Sequence, residues 1–233
     1  MFEIDHVQLK NLFDPQLAWE SLPFLLEGVP MTIFLAIIGM AIGLILGFFI
    51  SLGRGSNSIF LSLPARIYIS FMRSTPIIVF LFLIYFGLPI IGINLTAFVA
   101  AAIGFGLNSS AYIAEIYRAA LSSVDKGQWE AAKALNIGYW KTMRVIILPQ
   151  AIRIAIPPLA NVFLSVMLGT SLAAIITVPE LFQKSQIVAG RTFDAMTMYI
   201  LVAFIYWPLG IAISFLQNRL EIRYGKYIKQ DVQ

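Results

Sequence analysis

Charged side chains are missing from four long windows of this chain: Gly28 to Gly53, Ser74 to Ala114, Ile154 to Pro179 and Ala195 to Asn218. Apolar residues run through each window without the two-residue alternation of a half-buried strand. A helix rising ~1.5 Å per residue needs about 20 such residues to cross ~30 Å of hydrocarbon. The first, third and fourth windows each supply one crossing helix. The second is too long for one, and Gly87, Pro89, Gly92 and Asn94 form a turn-like cluster inside it. It therefore predicts two helices, the first beginning before Arg73. The expected spans are 25–52, 66–87, 95–117, 155–178 and 195–218. Backbone in lipid must satisfy its own hydrogen bonds, so the expected fold class is all-α integral membrane. It holds five transmembrane helices in a single membrane domain, 25–218, between an N-terminal arm, 1–24, and a tail, 219–233. The alternating signature of a membrane barrel is not present.

Composition agrees. Hydrophobic residues make up 59% of the chain and charged residues 12%, against about 25% charged in soluble domains. The basic residues give an orientation. Assigned alternately to the two sides, twelve Lys and Arg fall with the segments after the first and third spans and with the tail. Three (Lys10, Lys184 and Arg191) fall with the arm and the segment after the fourth span, and Arg73 lies within a span. The rich side is expected to be cytoplasmic, which puts the N-terminus outside and the C-terminus inside. The net charge of +4 then reflects topology rather than a nucleic-acid patch. The tail, with Arg219, Arg223, Lys226 and Lys229, reads as an anchor at the lipid headgroups.

Several chemistries find no residues to perform them. The acidic N-terminus precedes an apolar run too long and too late for a cleavable signal peptide. Cysteine is absent, which excludes disulfides and thiolate metal sites, and the single histidine, His6, lies in the polar arm. No phosphate-binding Gly-rich loop, His-based zinc motif or nucleophile elbow occurs. The sequon Asn94-Leu95-Thr96 sits too close to the expected membrane to count. The chain is expected to be no enzyme and to bind no cofactor or metal.

The first span carries Gly39, Gly43 and Gly47, a small-xxx-small repeat that lets another helix approach closely. A polar insert then interrupts the apolar chain at residues 119–153. Trp129 to Leu135 is rich in helix formers but too short and charged to cross a bilayer. Ala131, Ala132 and Ala134 give it a low-relief surface beside Leu135. Asn136 suits the left-handed residue that ends a helix. A second helix starts around Trp140, and Pro149 is expected to stop or kink it. Two readings are open from the residues: a short helix presented to another protein, or one lying in the lipid interface.

Inside the spans the polar residues are few. Glu115 and Arg118 are three apart on one helix face and can pair. Arg73 can snorkel to the nearer boundary. A structural ion pair and a gate or substrate contact are both open for Arg73 and Glu115. Asn108, Ser109, Tyr112, Asn161, Thr170 and Ser171 either face a pathway or bridge helices. Thr75-Pro76 reads as a kink in the second span.

The insert resembles the EAA loop of ATP-binding-cassette importer permeases. Glu130-Ala131-Ala132, Asn136 in the place of the usual Gly, then Ile146, Leu148 and Pro149 keep that loop's spacing. Further pieces are similar to the polar amino acid branch of the family. They are Arg73-Ser74-Thr75-Pro76, Ser110-Ala111-Tyr112-Ile113-Ala114-Glu115 with Arg118, Gly127-Gln128, Pro149-Gln150-Ala151 with Arg153, and Pro157-Pro158. One departure stands out: Leu168-Gly169-Thr170-Ser171-Leu172 occupies the place where the family often reads Lys-Asp-Thr-Ser-Leu.

The resemblance implies a permease subunit in a bacterial cell membrane, importing polar amino acids or related derivatives. Its implied partners are a second permease chain, an extracellular solute-binding protein and two cytoplasmic ATPases that use ATP and Mg; lipid surrounds it and nucleic acid plays no part. It implies coupling to the ATPase through Glu130, Ala131, Ala132, Ala134, Leu135 and Asn136. The pathway or gate would draw on Arg73, Thr75, Asn108, Ser109, Tyr112, Glu115, Asn161, Thr170 and Ser171. Two other classes are a stand-alone channel or secondary carrier, for which an inverted internal repeat is not visible, and a scaffold without transport.

Overall fold

The computed structural model describes residues 12–225. The expectations for Lys10 and His6 in the arm, and for Lys226 and Lys229 in the tail, concern residues outside that range. Among the described residues every regular element is a helix.

Helix α1 (Pro15–Leu26) opens on Asp14, whose carboxylate accepts from the N–H groups of Gln16 and Leu17. This N-cap, followed at once by proline, is a strong helix start, and it turns the end of the expected arm into an ordered helix. Helix α2 (Val29–Arg54) follows after Gly28. Helix α3 (Ile59–Ser74) and α4 (Ile77–Ile91) meet at a bend of 103°. The cause is Thr75-Pro76: both residues are extended, and a residue before proline is pushed out of the helical region. The expected kink within one span, 66–87, is therefore a break between two helices.

Helix α5 (Ala97–Ser122) is capped by Thr96, and α6 (Lys126–Ala134) by Asp125. Helix α7 (Tyr139–Ile176) is 38 residues long. It begins well before the expected 155, and Pro149 does not stop it. The preceding turn, Met143–Ile147, is π-helical. Its extra residue relieves the clash between the proline ring and the carbonyl four residues back. The helix tightens to a 3-10 form over Thr170–Ile176 and ends at left-handed Thr177, φ 67°. Helix α8 (Leu181–Thr192) is a further element in what reads from sequence as a connection. Helix α9 (Ala195–Gly225) closes the described chain.

Four of these helices, α2, α5, α7 and α9, are long and apolar enough to cross a membrane, and the bent pair α3–α4 makes five if it crosses as one. Their outward faces are apolar: on α9, Phe204, Trp207 and Phe215 are each about 60% exposed. Water would not tolerate so wide an apolar belt, whereas lipid or a second chain would.

The bundle is organised on α5. Its close neighbour is α2, and the glycine stripe explains the fit. A Cβ on Gly39 would lie 2.9 Å from Phe105 Cβ, and one on Gly47 would lie 2.8 Å from Ile113 Cγ2. Leu35 and Ala36 of α2, Leu81 of α4, Phe105 of α5 and Met167 of α7 form the main core. A second core joins α1, α8 and α9 through Leu25, Leu181, Met198 and Val202. Helix α3 is tied to α5 by Tyr68, whose hydroxyl lies 2.9 Å from the Leu107 carbonyl and 2.8 Å from Ser110 Oγ.

Candidate functional site

Two adjoining cavities lie along α5. The first, about 320 Å³, lies between the start of α4, the middle of α5 and the second half of α7. Asn108 and Tyr112 are one turn apart on α5, and Asn161 and Ser165 one turn apart on α7; all four line it. Helical spacing thus sets two short polar stripes facing each other. Ser109, Ile77, Phe105, Val162, Val166 and Gly169 complete the wall. No lining residue carries a formal charge.

The amides have assigned partners. Asn108 Nδ2 donates to the Met72 carbonyl at 2.8 Å. That carbonyl is among the last four of α3, which the helix itself leaves without a donor. Asn161 Oδ1 accepts from Gln217 Nε2 at 3.0 Å. Ser109 Oγ bonds back to the Gly106 carbonyl at 3.2 Å, and lies 3.4 Å from the Gly39 carbonyl across the glycine contact.

The second cavity, about 540 Å³, shares Tyr112 and Val162 with the first and adds Arg73, Glu115, Arg118, Ser123, Ile154 and Pro158. Glu115 Oε2 accepts from Arg118 at 2.7 Å, and Glu115 Oε1 lies 3.4 Å from Arg54 Nε. The pair legible as an i, i+3 spacing is thus a triad, and Arg54 joins it from the end of α2. The Arg73 guanidinium lies 5.2 Å from the centre of the Tyr112 ring, a cation–π distance.

The other sequence-selected polar residues lie apart from these walls. Thr75 caps α3 and forms the break. Thr170 is fully buried and donates to the Met167 carbonyl at 2.7 Å; Ser171 does the same to Leu168 at 2.9 Å. Ser165 joins the first cavity and Arg54 the Glu115 cluster without being among the residues expected there. Ser165 had a signal, its four-residue offset from Asn161; Arg54 had none.

At the α6 end, the helix closes on Asn136 at φ 55°. The N–H of Ile137 reaches the Ala132 carbonyl at 2.9 Å, and that of Asn136 reaches Lys133 at 3.0 Å. This is the paired bonding of a Schellman cap. Ala132 is buried, while Glu130, Ala131, Ala134, Leu135 and Asn136 are exposed, Leu135 at 74%. Trp129 stacks on Tyr139 with centroids 5.7 Å apart, which braces α6 against the start of α7.

A further buried carboxylate, for which the sequence offers no signal, lies at the start of α8. Glu180 is 0% exposed and caps α8, accepting from the N–H groups of Phe182 at 2.8 Å and Gln183 at 2.6 Å. Tyr206 donates to it at 3.1 Å from α9. Burial pushes its carboxyl above the ordinary range, against the capping bonds and the Tyr206 hydroxyl, which pull it down. Beside it, Thr32 of α2 accepts from the Leu181 N–H at 3.1 Å, so the junction holds α2, α8 and α9 together.

A helical bundle with an apolar belt, a chamber of amides and hydroxyls, and a short surface helix at one end defines a multi-pass membrane protein built around a polar interior. Comparison with known proteins gives the family. The model for the binding-protein-dependent transport system inner membrane component matches residues 39–226, and the chain belongs to that family. It is 54% identical over 225 residues to the probable amino-acid ABC transporter permease protein YckA of Bacillus subtilis (strain 168), covering 97% of this chain and 100% of that protein. The L-cystine transport system permease protein TcyB of the same organism is 41% identical over 207 residues, 88% of each chain. Among solved structures, an amino acid ABC transporter crystallised with histidines matches with a TM-score of 0.83 and 36% identity, over 88% of this chain and 95% of that one. The resemblance carried by the loop at Glu130 and the motifs around it is met: the chain is an ABC transporter permease component of the inner membrane.

Proposed function

We propose that this chain is the membrane-spanning permease subunit of an ATP-driven, binding-protein-dependent importer of polar amino acids or closely related derivatives. The names of its relatives support the substrate class, since proteins called amino-acid and L-cystine permeases align over most of their length. The N-terminus lies outside and the C-terminus in the cytoplasm, as the skew of Lys and Arg supports. An extracellular solute-binding protein delivers the solute, and a second permease chain completes the pathway. Two cytoplasmic ATPases use ATP and Mg, and this chain binds neither.

The observation that carries the reading is mechanical. Helix α6 leaves a small, exposed face of Glu130, Ala131, Ala134 and Leu135, closed by a tight cap and braced on α7. Helix α7 then runs from Tyr139 past Asn161 and Ser165 without a break. A groove on an ATPase that grips α6 therefore pulls on the wall of the chamber. Coupling of this kind requires that the contact differ between two states, and the α6 face is where ATPase closure enters the membrane domain. Arg73, Tyr112 and Glu115 stand at the cytoplasmic end of the chamber as its gate.

The test is uptake into vesicles holding the assembled importer. Glu130→Arg, at an exposed position, leaves membrane insertion intact and abolishes ATP-driven amino-acid uptake. Normal uptake by that variant removes α6 from the coupling role. The bent pair α3–α4 is a feature that secondary carriers also use; flux driven by an ion gradient without ATP would favour that class.

A further inference from the structure

Resting on the importer reading, we propose that the two cavities act together as a charge filter that accepts a zwitterion with an uncharged side chain and rejects cationic amino acids.

The chamber has nothing with which to neutralise a charged side chain. Its polar atoms are amides and hydroxyls, and the rest of its wall is apolar. A charge brought out of water without a counter-charge carries a heavy penalty, whereas a neutral polar group needs only hydrogen-bond partners. Those partners are present on opposite walls. Asn108 commits its amide N–H to Met72 and keeps its carbonyl oxygen as an acceptor. Asn161 commits its carbonyl to Gln217 and keeps its amide N–H groups as donors. The volume of about 320 Å³ falls within the range of small-molecule sites.

The adjoining collar has charge, and it is unbalanced. Three guanidinium groups, on Arg54, Arg73 and Arg118, face the single carboxylate of Glu115. Both oxygens of Glu115 are engaged, by Arg54 and Arg118. Arg73 makes no ion pair with a described carboxylate, and its guanidinium lies over Tyr112, the residue with a place in both cavities. Arg73 is thus placed to receive the α-carboxylate of a solute whose side chain occupies the chamber. The surplus positive charge repels lysine or arginine at the same point. A side-chain carboxylate gains nothing, because the chamber that would receive it holds no second cation.

The experiment measures binding to the assembled permease–ATPase complex in nanodiscs without the solute-binding protein, so that the selectivity read is that of the membrane domain. The probes are L-glutamine, L-serine and L-methionine against L-arginine, L-lysine and L-glutamate. At least one neutral amino acid binds tenfold or more tightly than each charged one. Asn161→Asp and, independently, Ser165→Asp place a carboxylate in the chamber and shift the arginine-to-neutral ratio tenfold or more toward arginine. Equal binding of a charged and the best neutral amino acid overturns the filter, as does an unchanged ratio in both folded Asp variants. If no probe binds while ATP-driven amino-acid uptake persists, the filter falls and the importer reading stands. Absence of such uptake removes both.

Discussion

Gly47→Ala sets a methyl group 2.8 Å from Ile113 Cγ2 and 3.0 Å from both Ile113 Cβ and the Ser110 carbonyl oxygen. Optimal contacts between carbon atoms lie at about 3.5–4.0 Å, so α2 and α5 must part by roughly 0.7 Å. Rotamer adjustment offers little relief. Ile113 is β-branched and nearly fixed at χ1 within a helix, and the carbonyl belongs to the α5 backbone. Overpacking of this size costs about 1–3 kcal/mol. Replacing a helical glycine by alanine returns up to ~1 kcal/mol. Because the clash meets a stiff side chain and backbone, the cost falls in the upper half of that range, about 2–3 kcal/mol, and the net is a loss of about 1–2 kcal/mol. Gly210→Ala on α9 is the control, because a Cβ there meets nothing within 4 Å; it is neutral or slightly stabilising. Thermal unfolding of the purified protein in one detergent compares the two. Gly47→Ala lowers the Tm by several degrees. Because Ile113 is fully buried and Ile113→Ala is itself destabilising, the relief of the clash shows as a double variant less destabilised than the sum of the two single ones. If Gly47→Ala unfolds with the control, the close approach of α2 and α5 does not exist in the protein. Because α5 also carries Asn108 and Tyr112, the same variant loses transport at temperatures where it remains folded.

Asn136→Gly keeps the left-handed cap of α6 and retains uptake, whereas Asn136→Val, at φ 55°, costs about 1–2 kcal/mol and loosens α6, read as faster proteolysis of the loop. Glu180→Ala removes a buried cap and leaves the Tyr206 hydroxyl without its acceptor, a loss of about 2–3 kcal/mol measured by chemical unfolding. Because burial raises the Glu180 carboxyl, the folded protein holds its proton to higher pH than the unfolded chain does. Its contribution is therefore complete at low pH and is lost as pH rises from about 4 through the raised value. Subtracting the stability of Glu180→Gln from that of the wild type exposes this slope, and a flat difference contradicts it.

Much of the fold is legible because lipid permits few solutions. Charge-free windows mark the helices, the glycine stripe marks where two of them touch, and Asn136 marks the end of α6. The failures have local causes. Pro149 reads as a stop or a kink, since nothing in the sequence announces that a π turn will make room for it. Thr75-Pro76 looks like a bend within one helix, since the angle depends on what α4 packs against. Helices α1 and α8 escape notice because they are short and mixed in polarity, and Glu180 is not a usual N-cap. In the site, Glu115 and Arg118 are paired by helical spacing alone. Arg54, from a different helix, is not, and no sequence rule sorts Asn161, which lines the chamber, from Thr170, which bonds its own helix.

If an ATPase grips α6, as we propose, the exposed end of that helix lies within reach of the ATPase surface. The chain contains no cysteine, so Leu135→Cys introduces a single thiol at an exposed position of that helix. Cross-linking it in the assembled importer, with cysteines introduced along the surface of the ATPase subunit, tests the contact directly. The expected result is a disulfide to the ATPase whose yield changes when ATP is added. A thiol that reacts only with lipid-phase reagents, and forms no bond to the ATPase in either state, contradicts it.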